Sequence, residues 1–336
     1  MGPDPSHRRV GFPKCSSYYL YPDCDGQFSS HRLRSDAADG LSSMRVGITG
    51  ANGYVGTILR AAFAEEGHEV IAFARSNRVT SESAAAMVGV AERRPYEIKR
   101  PPSGAAFSDL DVLIHGAWDL TLVNAGDVWG VNVSGSQHLL RNAADAGVRR
   151  VIFISSMSAY KGTRQLYGQA KLACERTASS LGGVSTRLGL VYGPGWGGMA
   201  GALRKLTTLP VTPLIGVRSH QFTVHETDLA AAMVRIAESD MPLPEPVGLA
   251  NPEPVPFRRL MKEIAASQGR TLRAVPVPWQ LVSGVLKATE ALHVPLPFRS
   301  DSILGLVHPA AEVPGVERLK QLGIEFRSFS LEGDRP

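Results

Sequence analysis

Cysteine is scarce in this chain, and long apolar runs are missing. Three cysteines occur among 336 residues, and Cys15, Cys24 and Cys174 show neither the spacing of a metal site nor a disulfide framework. No apolar stretch reaches the roughly 18 residues that a membrane-spanning helix needs. These absences predict a protein without a bound metal, outside the membrane and in the reducing cytoplasm.

Runs of lysine or arginine are also missing, which argues against a nucleic-acid partner. The formal net charge is +5, and residues 1–43 contribute nothing to it because they carry five basic and five acidic side chains. The excess therefore belongs to the rest of the chain, where it suits an anionic cofactor or substrate. Residues 1–43 have no lasting apolar period, so we expect a disordered extension, with Met44 as a candidate natural start.

A glycine turn follows the first apolar strand pattern, Val46–Thr49. Gly50, Gly53 and Gly56 have the spacing G-x-x-G-x-x-G, and a helical segment and a second apolar strand follow. Glycine lets the chain turn sharply, lets the backbone approach a pyrophosphate and lets the helix pack close to the strand. The N-terminus of that helix favours negative charge. The segment is therefore predicted to bind a dinucleotide.

Strand and helix patterns alternate as far as Tyr192, which predicts a doubly wound parallel sheet of the Rossmann type. Strands are expected at Tyr96–Lys99, Leu110–Ala117, Val148–Ser155 and Val184–Tyr192. From Gly193 the segments are shorter and richer in proline. We therefore expect a dinucleotide-binding domain over 44–192 and a smaller, discontinuous substrate lobe over 193–330, with some segments returning to the Rossmann core.

Tyr167 and Lys171 lie four residues apart in a helical pattern, so their side chains share one face. A tyrosine is a poor acid–base group at neutral pH, and a nearby ammonium is expected to lower its pKa. Ser156, at the end of the preceding strand, would donate a hydrogen bond to a carbonyl oxygen. These three residues are the predicted catalytic set, with Tyr160 as a rival for the acid–base role.

The residues after the second strand predict which dinucleotide binds. NAD-binding proteins usually place an acidic residue there, whereas this chain reads Ala74-Arg75-Ser76-Asn77-Arg78. Arginine pairs well with a phosphate. We therefore expect Arg75 to contact a 2′-phosphate and NADP to be preferred over NAD.

These motifs together resemble the extended short-chain dehydrogenase/reductases, also called the NAD-dependent epimerase/dehydratase family. The resemblance runs from Met44 to about Ser239, and more loosely to about Phe329. Beyond the glycine turn and the Tyr167/Lys171 pair, the matching motifs are His115-Gly116-Ala117, Asn132 in VNVSG, Ser155-Ser156, Arg187 with Val191-Tyr192-Gly193-Pro194, and Val224-His225 with Asp228-Leu229-Ala230. The resemblance implies a cofactor site made of Gly50, Asn52, Gly53, Tyr54, Val55, Gly56, Arg75, His115, Ala117, Ser155, Tyr167 and Lys171.

The family reading implies a small-molecule substrate and a possible homodimer, and it leaves the reaction open. The alternatives are net reduction of a carbonyl, epimerisation of a nucleotide sugar with retained cofactor, and a non-catalytic dinucleotide sensor. Ser156 precedes Tyr167 by only 11 residues, and His220-Gln221 stands where many relatives have Arg-Asp. Both departures favour reduction. Asn132 serves either a proton relay or a bracing role. The candidate substrate contacts are Trp118, Trp196 and Arg299, with Arg218 as another phosphate contact.

Overall fold

The computed structural model describes residues 43–75, 89–243, 246–291 and 300–331. Its main feature is a sheet of seven parallel strands, which are β1 (Arg45–Thr49), β2 (Glu69–Ala74), β3 (Val90–Pro95), β4 (Val112–His115), β5 (Arg150–Ser156), β6 (Val184–Leu188) and β11 (Val247–Leu249). Their order across the sheet is β11-β6-β5-β4-β1-β2-β3. The chain therefore has the predicted Rossmann-type architecture. The residues predicted to lie in the extension up to 42, together with Ser76, Asn77, Arg78 and Arg299, lie outside the described ranges.

Helices flank the sheet because its central strands are apolar on both faces, and each face must be covered. One apolar cluster contains Val46, Ile48 and Leu59, and a second contains Ile71, Phe73 and Phe153. The covering helices are α1 (Tyr54–Glu65), α2 (Ala125–Asp127), a π-helical segment (Val128–Val133), α3 (Ser134–Asp145), α4 (Leu166–Ser180) and α6 (Glu226–Glu238). A π-helical segment thus lies between α2 and α3, and the three run on from one another without a break.

The third strand differs from the sequence prediction. Tyr96–Lys99 was expected, whereas the strand is β3, Val90–Pro95, which pairs in parallel with β2. The sequence of β3 lacks the apolar pattern of a strand, because its polar side chains form an ion-pair network at the edge of the sheet. Arg94 pairs with Asp109, and Arg45 contacts Glu92 and Asp109 at 3.1 and 2.9 Å. An edge strand can be polar when the backbone ladder and such pairs hold it.

The strand predicted at Val184–Tyr192 divides in two. Gly189 separates β6 from β7 (Leu190–Tyr192), and β7 leaves the main sheet to pair with β10 (Thr223–His225). A Cβ at Gly189 would lie 2.6 Å from the Phe222 carbonyl oxygen, so the close approach of these segments requires glycine. At Gly189 the chain thus leaves the main sheet and enters the C-terminal lobe.

The lobe has its own apolar cluster, which includes Tyr192, Leu203 and Phe257. Its elements are α5 (Gly198–Leu206), β8 (Thr212–Leu214), β9 (His220–Gln221), β12 (Val255–Pro256), α7 (Phe257–Ser267), β13 (Ala274–Pro276), α8 (Trp279–Ala291), α9 (Ser300–Val307) and α10 (Val316–Gln321). β11 and α6 are downstream of Gly193 and yet pack in the Rossmann part, β11 as an edge strand. Among the described residues, no helix is long and apolar enough to cross a membrane.

Candidate active site

The glycine turn lies between β1 and α1 and has the geometry of a pyrophosphate cradle. Gly50 has φ +72°, and a Cβ there would lie 2.8 Å from the Ala117 nitrogen. A Cβ at Gly56 would lie 2.2 Å from the Gly50 oxygen. The N-cap residue, Gly53, offers no side chain to cap α1, and the first turn holds no acidic residue. The N-terminus of α1 therefore fits a dinucleotide phosphate.

The other predicted residues of this cradle lie around the same turn. Asn52 is exposed, and Val55 packs partly against the core. Tyr54 donates a hydrogen bond to Glu226 Oε2 at 2.9 Å, which ties the turn to the start of α6. Arg75 is exposed at the end of β2, and its carbonyl accepts a hydrogen bond from Arg93. A guanidinium at this strand end suits a phosphorylated ribose.

His115 braces the floor of this site. The residue is fully buried at the end of β4, with Nδ1 2.7 Å from Thr49 Oγ1 and Nε2 2.9 Å from Ser136 Oγ. Burial lowers the pKa of His115 to about 3, with a smaller contribution from Lys171, so the ring is neutral. The same Thr49 hydroxyl accepts from the Ala117 nitrogen at 3.2 Å. His115 and Ala117 thus lie beside the glycine turn, where His115 joins β1, β4 and α3.

Ser156 and Tyr167 are brought together by the end of β5 and the start of α4. The Ser156 side chain lies near the Tyr167 hydroxyl, and the Ser158 nitrogen donates to Ser156 Oγ at 3.1 Å. Burial raises the pKa of Tyr167 to about 12, although the Ser156 contact acts in the opposite direction. Tyr167 is therefore a phenol at neutral pH. The sequence-based expectation of a lowered pKa is wrong for this geometry, because burial outweighs the stabilisation of the phenolate.

Lys171 is one turn further along α4 and is buried. Its Nζ donates to the Ile154 carbonyl oxygen at 2.8 Å and lies 3.9 Å from the centre of the Trp118 ring. Burial lowers the pKa of Lys171 to about 7, with Cys174 and Glu175 acting in the opposite direction. Trp118 also contacts Tyr167 edge to face, with ring centres 5.7 Å apart. Trp118 thus covers the ammonium and borders the phenol.

The side chain of Ser155 points away from that of Ser156. Successive residues of a strand point to opposite faces. The Ser155 hydroxyl accordingly turns away from Ser156 and donates to Glu175 Oε1 at 2.5 Å. Glu175 accepts two further hydrogen bonds from Arg187, from Nε at 2.9 Å and from Nη2 at 2.7 Å. The Ser155 hydroxyl is therefore engaged with Glu175, and the contact of Ser155 with a cofactor stays a prediction.

Three further expectations can be compared with the structure. Asn132 braces the segment after β4, since its Oδ1 accepts from the Asp119 nitrogen at 2.8 Å and its Nδ2 donates to the Asp119 oxygen at 3.0 Å. Trp196 has φ +41° and packs against the lobe, with the Arg204 guanidinium 4.9 Å from its ring centre. Tyr160 donates to the His308 oxygen at 2.9 Å. These contacts favour bracing for Asn132, and they engage the Tyr160 hydroxyl with a backbone oxygen.

Sequence reasoning missed one acidic residue at this site. Asp301, at the start of α9, accepts hydrogen bonds from the Leu166 and Tyr167 nitrogens at 2.8 and 3.0 Å. Its partners lie more than 130 residues earlier in the chain, and no local pattern reveals such a distant contact. Among the described residues, no group of three or more histidine, cysteine or acidic side chains could hold a metal ion.

The fold and the glycine cradle define a dinucleotide-binding protein of the Rossmann type. The chain belongs to the NAD dependent epimerase/dehydratase family, whose family model matches residues 46–247. The match includes the glycine turn, Ser156 and the Tyr167/Lys171 pair.

Individual relatives are more distant. An uncharacterized protein of Mycobacterium tuberculosis (strain ATCC 25618 / H37Rv) is 29% identical over 238 residues, which is 70% of this chain. The chain spans only 24% of the length of that relative. A 2-alkyl-3-oxoalkanoate reductase of Stenotrophomonas maltophilia (strain K279a) is 23% identical over 261 residues, covering 67% of this chain and 76% of the relative.

Among solved structures, the UDP-glucose 4-epimerase of Thermus thermophilus in complex with NAD is similar, with a TM-score of 0.63. The match covers 87% of this chain and 97% of that chain at 21% identity. At this identity the likeness establishes the fold alone.

Proposed function

We propose that the protein is an NADP(H)-dependent reductase of a small carbonyl compound. The observation that carries the proposal is the proximity of the Ser156 side chain to the Tyr167 hydroxyl, with the Lys171 ammonium 5.7 Å from the centre of the Tyr167 ring. A carbonyl oxygen beside both hydroxyls would meet two donors at the atom where negative charge develops during reduction. Donors placed in this way stabilise the transition state.

The protein's own contribution to the reaction is the handling of the substrate oxygen and its proton. Because Ser156 Oγ accepts from the Ser158 nitrogen, its own proton remains available to hold a carbonyl oxygen. Tyr167 Oη then transfers its proton to that oxygen, which becomes the product hydroxyl. A reduced nicotinamide, when bound, would supply the hydride that the carbonyl carbon needs. Lys171, next to Tyr167 on the same helix face, is suited to stabilise the phenolate that remains.

The protonation state of Tyr167 supports reduction. Its pKa is raised to about 12 by burial, so the phenol keeps its proton at neutral pH. A proton donor is what carbonyl reduction requires, whereas oxidation of an alcohol begins with a base. The name of the Stenotrophomonas relative, a reductase of an oxo acid, agrees with this direction.

The residues before β10 also support a reductase. His220 and Gln221 stand where many relatives of this family carry Arg-Asp. His220 Nε2 lies 3.2 Å from the Ala310 oxygen, and Gln221 Nε2 donates to the Leu306 oxygen at 3.3 Å. Both side chains thus hold the segment around the end of α9. We infer that these two side chains do not bind a diphosphate.

A nucleotide-sugar epimerase is the second candidate, and one observation favours it. A groove of about 560 Å³ is lined by Tyr160, Arg218, His220 and His308. Arg218 is exposed at the turn 216–219 that borders the groove, and a guanidinium there suits an anionic group. An epimerase would use such a contact to hold its substrate during turnover.

The two candidates differ in what happens to the cofactor. We would purify the protein without added cofactor, record the nicotinamide absorbance, and then supply NADPH with candidate carbonyl compounds or nucleotide sugars. A reductase is expected to contain little bound cofactor after purification and to consume one NADPH for each product molecule. Retained cofactor, with an isomerised sugar and no net consumption of NADPH, would replace the reductase proposal by the epimerase. Cofactor binding with no turnover of any candidate would favour the sensor.

The preference for NADP(H) depends on Arg75. Within the described residues its side chain makes no hydrogen bond or ion pair, and it is exposed at the end of β2. We expect NADPH to bind more tightly than NADH by calorimetry, and Arg75→Asp to reverse the order by repelling the 2′-phosphate. Arg100→Asp, at another exposed arginine, is the matched control and should leave the ratio unchanged. Equal dissociation constants in the unmutated protein would contradict the preference.

A further inference from the structure

Helix α4 carries Tyr167 and Lys171, and yet it begins without a cap of its own. Its N-cap residue, Gln165, makes no side-chain capping hydrogen bond, and the first turn holds no acidic residue. The first N–H groups of a helix have no partner inside the helix and need acceptors from elsewhere. One of those groups is the backbone nitrogen of Tyr167.

The acceptors come from the C-terminal lobe. Asp301 Oδ1 accepts from the Leu166 nitrogen at 2.8 Å, and Asp301 Oδ2 accepts from the Tyr167 nitrogen at 3.0 Å. Asp301 lies in the first turn of α9, so this lobe helix places a carboxylate at the positive end of α4. A carboxylate at that position also interacts favourably with the dipole of α4.

The rest of α9 lies against the segment between Ser156 and Tyr167. A Cβ at Gly305 would lie 2.9 Å from Gln165 Oε1, so α9 packs closely on the residue that starts α4. Just after α9, the His308 oxygen accepts the Tyr160 hydroxyl at 2.9 Å. The lobe therefore contacts the catalytic segment at Tyr160, Gln165, Leu166 and Tyr167.

We propose that Asp301 is a positioning residue for Tyr167. Through its carboxylate, the packing of α9 against α4 fixes the position of the Tyr167 hydroxyl relative to Ser156. The proposal rests on the acid role of Tyr167 proposed above. The carboxylate holds the backbone of Tyr167 itself, and only two side-chain torsions separate that backbone from the hydroxyl. A displacement of the hydroxyl by about 1 Å can cost a factor of about 100 in rate.

A matched control lies at the start of α9. Glu290 on α8 accepts from the Ser300 nitrogen and from Ser300 Oγ, both at 2.8 Å. Glu290 thus caps α9 in the way that Asp301 caps α4, but it makes no hydrogen bond to α4. Loss of Glu290 tests the stability of α9, whereas loss of Asp301 also releases Tyr167.

The experiment compares Asp301→Ala, Asp301→Asn and Glu290→Ala in the full chain, with kcat, KM and the NADPH dissociation constant for each. For Asp301→Ala we expect kcat to fall about 10- to 100-fold, the range for a misplaced catalytic group, with KM and cofactor affinity within about 3-fold of the unmutated protein. Asp301→Asn keeps one carbonyl acceptor and should recover part of kcat. Glu290→Ala should keep kcat within about 3-fold of the unmutated value, even if its melting temperature falls by as much as that of Asp301→Ala.

Hydrogen exchange provides a readout that does not depend on activity. The amides of Leu166 and Tyr167 should exchange faster in Asp301→Ala and remain protected in Glu290→Ala. Unchanged exchange at these amides, or an unchanged kcat in Asp301→Ala, would overturn the proposal. The proposal would also be overturned if kcat fell in proportion to the lost stability in both Asp301→Ala and Glu290→Ala. Full activity in Tyr167→Phe would instead refute the acid role, and the exchange data would still report on the cap.

Discussion

Two polar clusters lie between β5 and α4, and they are built on neighbouring residues. In one, Ser155, Glu175 and Arg187 satisfy one another through three hydrogen bonds at 2.5 to 2.9 Å. In the other, burial moves the pKa of Tyr167 up to about 12 and that of Lys171 down to about 7. The first cluster pairs the Glu175 carboxylate with the Arg187 guanidinium, whereas within the described residues the second buries an ammonium that donates to a carbonyl oxygen, lies against aromatic rings and forms no ion pair.

From this difference we infer that the first cluster stabilises the fold and that the second takes part in the proposed reaction. A buried ion pair with complete hydrogen bonding has no group left to react with a ligand. A desolvated lysine and a protonated tyrosine side by side, at the carboxyl end of a parallel strand, are typical of a reactive site. We therefore expect substitutions in the first cluster to change stability and substitutions in the second to change catalysis.

The largest effect is expected from Glu175→Gln. This change leaves the Arg187 guanidinium, whose side chain is only 14% exposed, without its counter-charge. Removing one partner of a buried pair costs about 3–5 kcal/mol, measured as the free energy of unfolding in denaturant. The double variant Glu175→Leu/Arg187→Leu should recover most of that loss, because no unpaired charge remains. Equal losses in the single and double variants would contradict the role of the charge pair.

The second prediction concerns Tyr167→Phe, which removes the hydroxyl and keeps the ring against Trp118. We expect kcat to fall at least about 100-fold, the low end of what general acid catalysis contributes. Cofactor affinity and the free energy of unfolding should change little. Tyr160→Phe is the control, since it removes a phenol hydroxyl that is bonded only to a backbone oxygen. Loss of activity in Tyr160→Phe, with Tyr167→Phe still active, would mean that Tyr160 and not Tyr167 is the general acid.

Local sequence patterns predicted the parts of the molecule that depend on residues close together in the chain. The glycine turn and the Tyr167/Lys171 spacing each lie within seven residues, so their geometry follows from one turn or one helix. The pKa of Tyr167 depends on burial by distant segments, and the expected direction of its shift was wrong. The cap from Asp301 and the polar edge strand β3 depend on contacts across the chain. Their sequences therefore carry no local signal for those contacts.

The third prediction uses the cost of burying Lys171. Its pKa falls from 10.5 to about 7 on folding, so between these values the unfolded chain binds a proton that the folded chain does not. Stability therefore rises with pH across that window, and the cost of the charge is fully present below pH 7. Lys171→Met should be more stable than the unmutated protein by about 2 kcal/mol near pH 7, less than the shift alone implies because the Ile154 contact is lost.

Denaturant unfolding at a series of pH values measures this difference. The advantage of Lys171→Met should shrink steadily as pH rises from 7 towards 10.5, and its catalytic activity should be lost at every pH. An advantage that does not depend on pH would mean that packing, and not the buried charge, is responsible. The outcome would then weaken the contrast between the two clusters.

The smallest effects are expected from the adjacent serines, and they give the sharpest comparison because the two residues differ only in the face of β5 they occupy. Ser155→Ala removes one donor to Glu175, which keeps both hydrogen bonds from Arg187, so about 1 kcal/mol of stability should be lost and kcat should not change. Ser156→Ala should leave the free energy of unfolding nearly unchanged and lower kcat about 10-fold, the effect of losing one ordinary hydrogen bond, because Tyr167 would still hold the substrate oxygen. Both variants need the same two measurements, denaturant unfolding and steady-state kinetics. A loss of kcat in Ser155→Ala as large as in Ser156→Ala would show that the two clusters act as one, and the division between a stabilising and a catalytic cluster would have to be abandoned.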